Sequence, residues 1–462
     1  MTAVEYINSK RDVFLSDLRR LTEINSVRAQ AKPGMPFGEG CAAVLREAES
    51  ILSEHGYKMT NYGNYAGEAD LGKEPCLMLL AHLDVVPEGD GWTREPFRLT
   101  LEDGKAYGRG TTDDKGAALA CLLAMDACRE AYGEPEKGVR LVLGCGEETG
   151  SEDMEHYFSV RPKLGYTLSP DADYPLINIE KGRFAPHFYK KISDSSEKSV
   201  LKIIGGDTDN IVPGKARAVL RGFSFDELKP LADETAAETG TGIVCEPDEE
   251  NVTVLVKGKS AHAANPFLGI NAQTALLKLL SVLPFDESVF PYTAKDLLKL
   301  FPHGETDGKC AGVKMSDTEA GELTLNFGVM SYDGETLSCG LDLRCPLCAN
   351  DENVKKVLKE KLAAIGFAFE GEPSMRPAHC VPADSPLVKT VLGVYEKHTG
   401  QKGECLAIGG GTYVHDIEGG VAFGIEFPGK DYRIHGADEF CDVDEMLLTA
   451  AMYADVIKEL CY

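Results

Sequence analysis

The chain has 462 residues, of which 48 are lysine or arginine and 74 are aspartate or glutamate, so its formal net charge is −26 at pH 7. Such an acidic surface repels phosphate backbones and anionic membranes, which argues against a nucleic-acid-binding or membrane-surface protein. No apolar run reaches the ~18 residues of a membrane span, and the length predicts two or three domains.

The cellular location is predicted from the N-terminus and the cysteines. The first residues, MTAVEYINSKRDVF, are charged and contain no apolar signal-peptide core. The 14 cysteines are scattered along the chain rather than concentrated as in a small disulfide scaffold. Both observations favour a reduced, cytoplasmic protein.

Residues 1–183 are predicted to form the first part of a doubly wound α/β domain. Apolar residues recur at helical spacing near the N-terminus and again over about 39–55. The run 76–81 has the composition of a strand buried on both faces, and a helix and a second buried strand at 140–143 follow it. Strands that alternate with helices and end in loop acids predict a mostly parallel sheet.

Residues 184–376 are predicted to be an inserted α+β domain. Its strands alternate apolar and polar residues, as in ARAVLRGF, which indicates an antiparallel sheet with one face covered by helices. A strand followed by a polar helix occurs twice, which predicts two related units of similar α/β type. Over residues 377–462 the first pattern returns, so both ends of the chain are expected to build one domain.

Five side chains at or just after predicted strand ends of the first domain form a candidate metal site. Because ligands bind outside the carboxyl ends of the strands in open α/β sheets, these side chains are expected to lie together. Two imidazoles and three carboxylates suit Zn²⁺, with Mn²⁺ or Co²⁺ as substitutes. One catalytic zinc needs fewer ligands, so the set predicts two ions that share a bridging carboxylate. The five residues are His82, Asp113, Glu148, Asp171 and His435.

Seven motifs carry a family resemblance that runs from near the N-terminus to the final helix. They are, in chain order, HLDVVP, GRGTTDDKG, GEETGSEDM, SPDAD, GKSAHA, IGGGTY and IHGADE. They resemble the motifs of the dinuclear zinc aminoacylase/carboxypeptidase family, which includes carnosinase, and most of all those of its PepV-type bacterial dipeptidases. The resemblance implies a catalytic domain made of residues 1–183 and 377–462, with residues 184–376 as a lid.

The resemblance implies a role for each metal ligand. Asp113 is implied to bridge the two ions, with His82 and Asp171 completing one shell. Glu148 and His435 are implied to complete the other shell. The expected reaction is attack on a peptide carbonyl by a water that lies between the ions, where its pKa falls towards ~7.

Three further residues receive catalytic roles from the resemblance. Glu147 is implied to be the general base that activates the water, and Asp84 to orient the ring of His82. His262, in GKSAHA, is implied to polarise the scissile carbonyl or to stabilise its oxyanion. The resemblance also implies a cis peptide between Asp113 and Asp114, where the second aspartate is expected to start a helix.

Substrate binding is expected from the lid and from a glycine loop. Asn210 and Arg344 match family positions that are implied to bind substrate, and arginine suits a carboxylate because its fork binds both oxygens. Gly410, Gly411 and Thr412 belong to a loop whose backbone donors can hold a carboxylate.

The predicted activity is hydrolysis of the peptide bond of unblocked dipeptides by a monomer, because the long insert allows His262 to act within one chain. One alternative is the same chemistry on N-acyl amino acids, which the core motifs do not separate from dipeptides. A second alternative is a non-catalytic binding protein, in which a ligand or the base is expected to be lost. A third is a nucleotide-binding protein, which needs a phosphate-contacting helix directly after Gly411.

Overall fold

The computed structural model describes residues 1–248 and 250–462. The chain forms two compact units, and the first is built from both ends of the chain. The predicted borders between the two units, 183/184 and 376/377, lie within four residues of the borders in the structure. The structure also assigns the short segment Ala407–Gly410 to the second unit. The first unit comprises Met1–Ile179, Cys380–Leu406 and Gly411–Tyr462, and the second comprises Glu180–His379 and Ala407–Gly410.

The described helices are numbered α1 to α11 in chain order. They are Ala3–Ser9, Arg11–Thr22, Glu39–Glu54, Lys115–Tyr132, Glu152–Val160, Phe225–Thr239, Ala272–Val282, Phe290–Leu300, Lys356–Ala364, Pro386–Thr399 and Val443–Cys461. Short 3₁₀ turns cover Glu147–Thr149, Pro266–Leu268 and Tyr413–Asp416, and a π-helical turn covers Asp351–Lys355. None of these described helices is both long and apolar enough to cross a membrane.

The described strands are numbered β1 to β23. Strands β1 to β12 are Thr60–Tyr62, Ala66–Leu71, Leu77–His82, Thr100–Glu102, Lys105–Tyr107, Val139–Gly144, Tyr166–Ser169, Ile177–Glu180, Gly182–Phe184, His187–Lys191, Ser199–Gly205 and Lys215–Arg221. Strands β13 to β23 are Gly242–Asp248, Asn251–Lys257, Ser316–Asp317, Gly321–Glu322, Thr324–Tyr332, Thr336–Cys345, Ala368–Phe369, His379–Cys380, Leu406–Ile408, Val421–Ala422 and Phe440–Asp442.

Strand β3 lies in the middle of the first unit's sheet, whose order begins β1-β2-β6-β3-β7-β22-β8. It pairs in parallel with β6 and β7, whereas β2 runs antiparallel to β6. Leu77 and Leu79 pack into one apolar core together with α4, and Met78 and Leu80 pack into a second core with α5. The predicted strand buried on both faces and the doubly wound α/β class are therefore confirmed.

The second unit contains one continuous antiparallel sheet of order β13-β14-β12-β11-β17-β18-β10-β19. In β12, Ala216, Ala218 and Leu220 are buried, whereas Lys215 and Arg217 are exposed. The buried residues share an apolar core with helices α6 to α9, so helices cover one face of the sheet, as the alternation predicts. The strands of the two predicted strand–helix units, β12 before α6 and β18 before α9, both belong to this one sheet.

His55 connects three helices of the first unit at the C-terminus of α3. Its Nε2 lies 3.0 Å from Asp17 Oδ2 on α2, and its Nδ1 makes a short hydrogen bond to Asp126 on α4. The hydrogen bond with Asp126 and the one with Asp17 raise the pKa of His55 to about 9, against the opposing effect of burial. The charged imidazole thus holds two carboxylates that face it from neighbouring helices.

Replacing His55 by glutamine is expected to lower the free energy of unfolding at about pH 6 by about 2–3 kcal/mol. The folded-state pKa lies above the unfolded value, so the stabilisation is fully present below about pH 6.5 and is lost as the pH rises through about 9. Denaturant titrations at about pH 6 and about pH 10 measure this difference. A matched change of the exposed His156 serves as the control, and an equal loss for H55Q at both pH values would contradict the ion-pair account.

Candidate metal centre

The structure brings the five predicted metal ligands together in the first unit. They form two groups in which all candidate ligand atoms lie within 4.8 Å of one another. The first group contains His82, Asp113 and Asp171, and the second contains Asp113, Glu148 and His435. Asp113 belongs to both groups, which is the position that the predicted bridging role requires.

The parallel strands β3, β6 and β7 place three of these residues, His82, Glu148 and Asp171, at one edge of the sheet. His82 is the last residue of β3 and is in register with Gly144, the last residue of β6. A Cβ atom on Gly144 would lie 2.1 Å from the hydroxyl of Tyr413, so glycine is required where the chain turns towards Glu148. Asp171 follows the end of β7 by two residues.

Each oxygen of the Asp113 carboxylate faces a different histidine. Oδ1 lies 3.0 Å from His82 Nε2, and Oδ2 lies 2.9 Å from His435 Nε2. The remaining two acids lie beside these rings. Glu148 Oε1 is 3.1 Å from His435 Nε2, and Asp171 Oδ2 is 3.8 Å from His82 Nε2.

The tautomer of His82 tests whether the donor set fits a cation. Its Nδ1 lies 3.0 Å from the carbonyl oxygen of Asp84, so we assign the ring hydrogen to Nδ1. The buried Nε2 then presents a lone pair, and among the described residues it has no hydrogen-bond partner. Its lone pair faces a carboxylate oxygen of Asp113 at 3.0 Å, an arrangement that a cation relieves. Tetrahedral zinc with bonds of ~2.0–2.2 Å places neighbouring ligand atoms ~3.3–3.6 Å apart, close to the separations seen here, so the residues fit divalent ions.

Glu439 holds the loop that carries Asp113. Its Oε1 accepts hydrogen bonds from the backbone N–H groups of Gly110, Thr112 and Asp113 at 3.1–3.2 Å. Its Oε2 accepts one from Arg109 Nη1 at 2.6 Å, and both side chains are buried. Glu439 was not among the predicted site residues, although it belongs to the IHGADE motif that contains His435.

The peptide between Asp113 and Asp114 is cis, as predicted. Asp114 is the N-cap residue of α4, so its predicted position at a helix start is confirmed. However, its side chain makes no capping hydrogen bond. Instead its Oδ2 accepts a hydrogen bond from the backbone N–H of His82 at 3.0 Å and braces the end of β3.

Asp84 contacts both His82 and the loop of the predicted base, in a way that refines its predicted role. The nearer contact of His82 Nδ1 is with the backbone carbonyl of Asp84 at 3.0 Å, and the carboxylate oxygen lies 3.5 Å away. The carboxylate accepts hydrogen bonds from the N–H groups of Glu147 and Glu148 at 3.3 and 3.2 Å. Asp84 therefore positions the ring mainly through its backbone and the glutamates through its side chain.

The carboxylates strongly perturb one another. Burial, followed by the negative charge of Asp171, raises the pKa of Glu147 well above its usual value. Burial and the charge of Asp113 raise the pKa of Asp171 to about 7. Burial also acts to raise the pKa of Asp113, but the neighbouring imidazoles of His435 and His82 hold it well below its usual value. The raised pKa values of Glu147 and Asp171 reflect burial and the repulsion between neighbouring carboxylates, which divalent cations would relieve.

The predicted lid residues lie in the second unit, where Asn210 and His262 are carried by paired segments. Ile211 forms an antiparallel bridge with His262, and the N–H of Ala263 donates to the carbonyl of Asn210 at 2.8 Å. Near the end of β18, Arg344 donates from Nη1 to the carbonyl of Gly409 at 2.7 Å.

The predicted glycine loop is divided between the two units, with Gly410 in the second and Gly411 and Thr412 in the first. Thr412 caps the 3₁₀ turn Tyr413–Asp416 by accepting a hydrogen bond from the N–H of Val414. The nucleotide-binding alternative needs a phosphate-contacting helix here, whereas the structure has this single turn.

Known proteins resemble the chain over its whole length. Residues 78–459 match the model of peptidase family M20/M25/M40. A putative dipeptidase, YtjP of Bacillus subtilis (strain 168), is 34% identical over 99% of both chains. The β-Ala-Xaa dipeptidase of Lactobacillus delbrueckii subsp. lactis is 33% identical over 99% of this chain and 97% of its own. The structure of the dipeptidase Dug1p from Saccharomyces cerevisiae shares the fold, with a TM-score of 0.59 and 14% identity over 99% and 98% of the two chains.

Proposed function

Because the chain belongs to peptidase family M20/M25/M40 and is a peptide-bond hydrolase, we propose that it is a metal-dependent dipeptidase acting on unblocked dipeptides. Two relatives that are similar over 99% of the chain are named as dipeptidases, one of them for β-Ala-Xaa dipeptides, which supports the substrate class. The observation that carries the mechanism is the carboxylate of Asp113, which faces a histidine on each side.

The proposed cofactor is a pair of divalent ions, with zinc preferred and Mn²⁺ or Co²⁺ as substitutes. Asp113 would be shared between the ions, His82 and Asp171 would hold one, and Glu148 and His435 the other. When bound, such ions polarise the peptide carbonyl and lower the pKa of water. The buried, acid-rich site favours this occupancy because bound cations would offset the carboxylate repulsion that raises the pKa of Glu147 and of Asp171.

Glu147 is the proposed general base. Its backbone N–H donates to the Asp84 carboxylate, which fixes the turn from which the side chain projects. A carboxylate with a raised pKa takes a proton from the attacking water and returns it to the amine that leaves when the peptide bond breaks. Since Glu148 is the neighbouring residue, one glutamate of this turn serves as a ligand and the other as the base.

The second unit is proposed to supply groups that bind the substrate. His262 would stabilise the oxyanion of the scissile carbonyl, and Asn210 and Arg344 would bind the free carboxylate of the dipeptide. The backbone N–H groups of Gly410 and Gly411 and the hydroxyl of Thr412 are proposed as further carboxylate donors.

The substrate class is tested by comparing an unblocked dipeptide with its N-acetylated analogue. We expect the metal-loaded enzyme to hydrolyse the unblocked dipeptide faster, and dialysis against a chelator to abolish turnover until zinc is restored. A higher kcat/KM for the N-acetylated compound would favour the alternative, an N-acyl-amino-acid amidohydrolase with the same metal chemistry. Turnover of neither compound would favour the non-catalytic binding protein.

The assembly and location are also proposals. All 14 cysteines carry free thiols, which supports the predicted cytoplasmic location. The net charge of −26 supports the prediction that neither nucleic acid nor membranes are partners. We propose an active monomer; an obligate dimer in light scattering, inactive after dissociation, would contradict it.

A further inference from the structure

Two buried polar residues of the second unit contact the groups proposed to bind the substrate carboxylate. Asn326 is 2% exposed and Asp342 is fully buried, and the two face each other across the β17–β18 pair. The residues flanking each of them in sequence, such as Leu325 and Leu341, belong to the unit's apolar core. Because side chains alternate along a strand, Asn326 and Asp342 project from the opposite face of the sheet.

Asn326 clamps the segment that carries Asn210. Its Nδ2 donates to the carbonyl oxygens of Asp209 at 2.8 Å and Ile211 at 2.9 Å, so the two hydrogen bonds lie on either side of Asn210. One amide group thereby sets the backbone orientation of this residue from both sides. The clamp spans more than 110 residues of sequence, so it is a feature of the folded unit and not of the local turn.

The strands leave room for this clamped segment. A Cβ atom on Gly328 of β17 would lie 2.5 Å from the backbone of Asp209, and one on Gly340 of β18 would lie 2.2 Å from its Oδ1. Glycine is therefore needed on both strands beneath the segment. The side chain of Asn210 is also oriented, because its Oδ1 accepts a hydrogen bond from the Thr208 hydroxyl at 2.6 Å. Within the described part of the chain, this leaves the N–H groups of the Asn210 amide for a ligand.

Asp342 holds the guanidinium of Arg344 in a similar way, through side-chain hydrogen bonds. Its two oxygens accept hydrogen bonds from Arg344 Nε at 2.6 Å and Nη2 at 3.2 Å, and a second arginine, Arg183, donates from Nε at 2.7 Å. The carbonyl of Gly409 accepts a hydrogen bond from Arg344 Nη1. A guanidinium has five N–H groups. Three of those of Arg344 are bonded to residues that the structure describes, which leaves one on each terminal nitrogen for a ligand, in a fixed plane.

We propose that Asn326 and Asp342 are positioning residues that hold Asn210 and Arg344 in the geometry that binds the C-terminal carboxylate of a dipeptide. The proposal rests on the dipeptidase function proposed above. Its physical basis is preorganisation: donors that are already oriented lose little conformational entropy when the carboxylate binds. Both positioning residues act through another side chain and need not contact the substrate.

The test compares a dipeptide with its C-terminal amide, which lacks the carboxylate, in metal-loaded parent enzyme and in the variants Asn326→Ala and Asp342→Asn. We expect each variant to raise KM for the dipeptide by about tenfold, with a smaller change in kcat. KM for the dipeptide amide and the metal content are expected to stay unchanged. Ser331→Ala, on the exposed side of the same strand β17, is the matched control.

A double-mutant cycle separates positioning from a general structural role. If Asn326 acts through Asn210, Asn326→Ala is expected to cause little further increase in KM when Asn210 is already alanine. Equal effects on the dipeptide and its amide, or full additivity with Asn210→Ala, would overturn the proposal. If the buried variants do not fold, the substitute variant is Thr208→Val at the exposed end of the clamped segment, which removes the hydroxyl that orients the Asn210 side chain. An unchanged KM for the dipeptide in this variant would count against the proposal that Asn210 must be held in a fixed orientation.

The parent enzyme distinguishes failure of this proposal from failure of the dipeptidase function. Parent enzyme that turns over neither compound overturns the proposed function and the positioning roles with it. Parent enzyme that hydrolyses the dipeptide and its amide with the same KM overturns carboxylate recognition alone and leaves the dipeptidase function standing.

Discussion

The variant Glu147→Gln is expected to retain its metal and to lose about 10²–10⁴-fold in kcat, because the amide cannot accept the proton of the attacking water. Glutamine keeps the shape of the side chain, and the backbone N–H of residue 147 still donates to Asp84, so the turn itself is preserved. The measurement pairs steady-state kinetics on an unblocked dipeptide with the metal content of the purified protein.

The matched control is Glu155→Gln, the same chemical change at an exposed position of the following helix α5. It is expected to leave both turnover and metal content unchanged. Near-normal turnover of E147Q would refute the base assignment. Loss of metal together with activity would instead make Glu147 a ligand and exchange the proposed roles of the two glutamates.

Replacing Asp113 by asparagine is expected to remove both ions at once and to lower activity by about 10³-fold or more. The reason is that the aspartate carboxylate contributes an oxygen to each of the two ligand groups. Replacing Asp171, which belongs to one group, is expected to weaken the binding of one ion. Metal content after dialysis and calorimetric zinc titrations distinguish the two variants without reference to activity. If Asp113 is shared between the ions, D113N must lose more metal than the Asp171 variant.

The control for D113N and D171N is Asp90→Asn, at an exposed position in the loop after β3. It changes the net charge by the same amount but lies outside the two ligand groups. Two bound ions in D113N, or equal metal loss in D113N and D171N, would contradict a shared carboxylate. Because Glu439 holds the loop of Asp113 through three backbone N–H groups, circular dichroism of D113N is needed to show that the loop's surroundings remain folded.

Much of the first unit and its candidate ligand set was predictable from local sequence. The apolar run before His82 is buried on both faces in the structure, and polar side chains begin where it ends. A buried strand must be apolar throughout, so the first histidine and aspartate mark its end at the ligand-binding edge of the sheet. The same reasoning places Glu148 and Asp171 beside His82, because neighbouring parallel strands end together.

The groups that hold the ligands and donors in place were not predictable in this way. Glu439 contacts the loop of Asp113 over 326 residues of sequence, and Asn326 reaches the segment of Asn210 over more than 110 residues. Periodicity records which face of an element is buried, and it carries no information about which distant carbonyl or N–H group a buried polar side chain meets. Asp84 shows the same limit at short range, since its backbone carbonyl is closer to His82 than its carboxylate is.

The amino-acid sequence therefore determines the kind of chemistry: two imidazoles and three carboxylates at strand ends, a proposed base beside them, and an inserted domain of alternating strands. Tertiary structure decides how that chemistry is arranged. It turns the two oxygens of Asp113 towards different histidines, holds the loop of Asp113 with Glu439, and places Asn326 and Asp342 beneath the proposed substrate-binding groups. The physical reason is that burial of apolar surface follows local pattern, whereas the partner of each buried polar group is set by the long-range packing that brings it out of water.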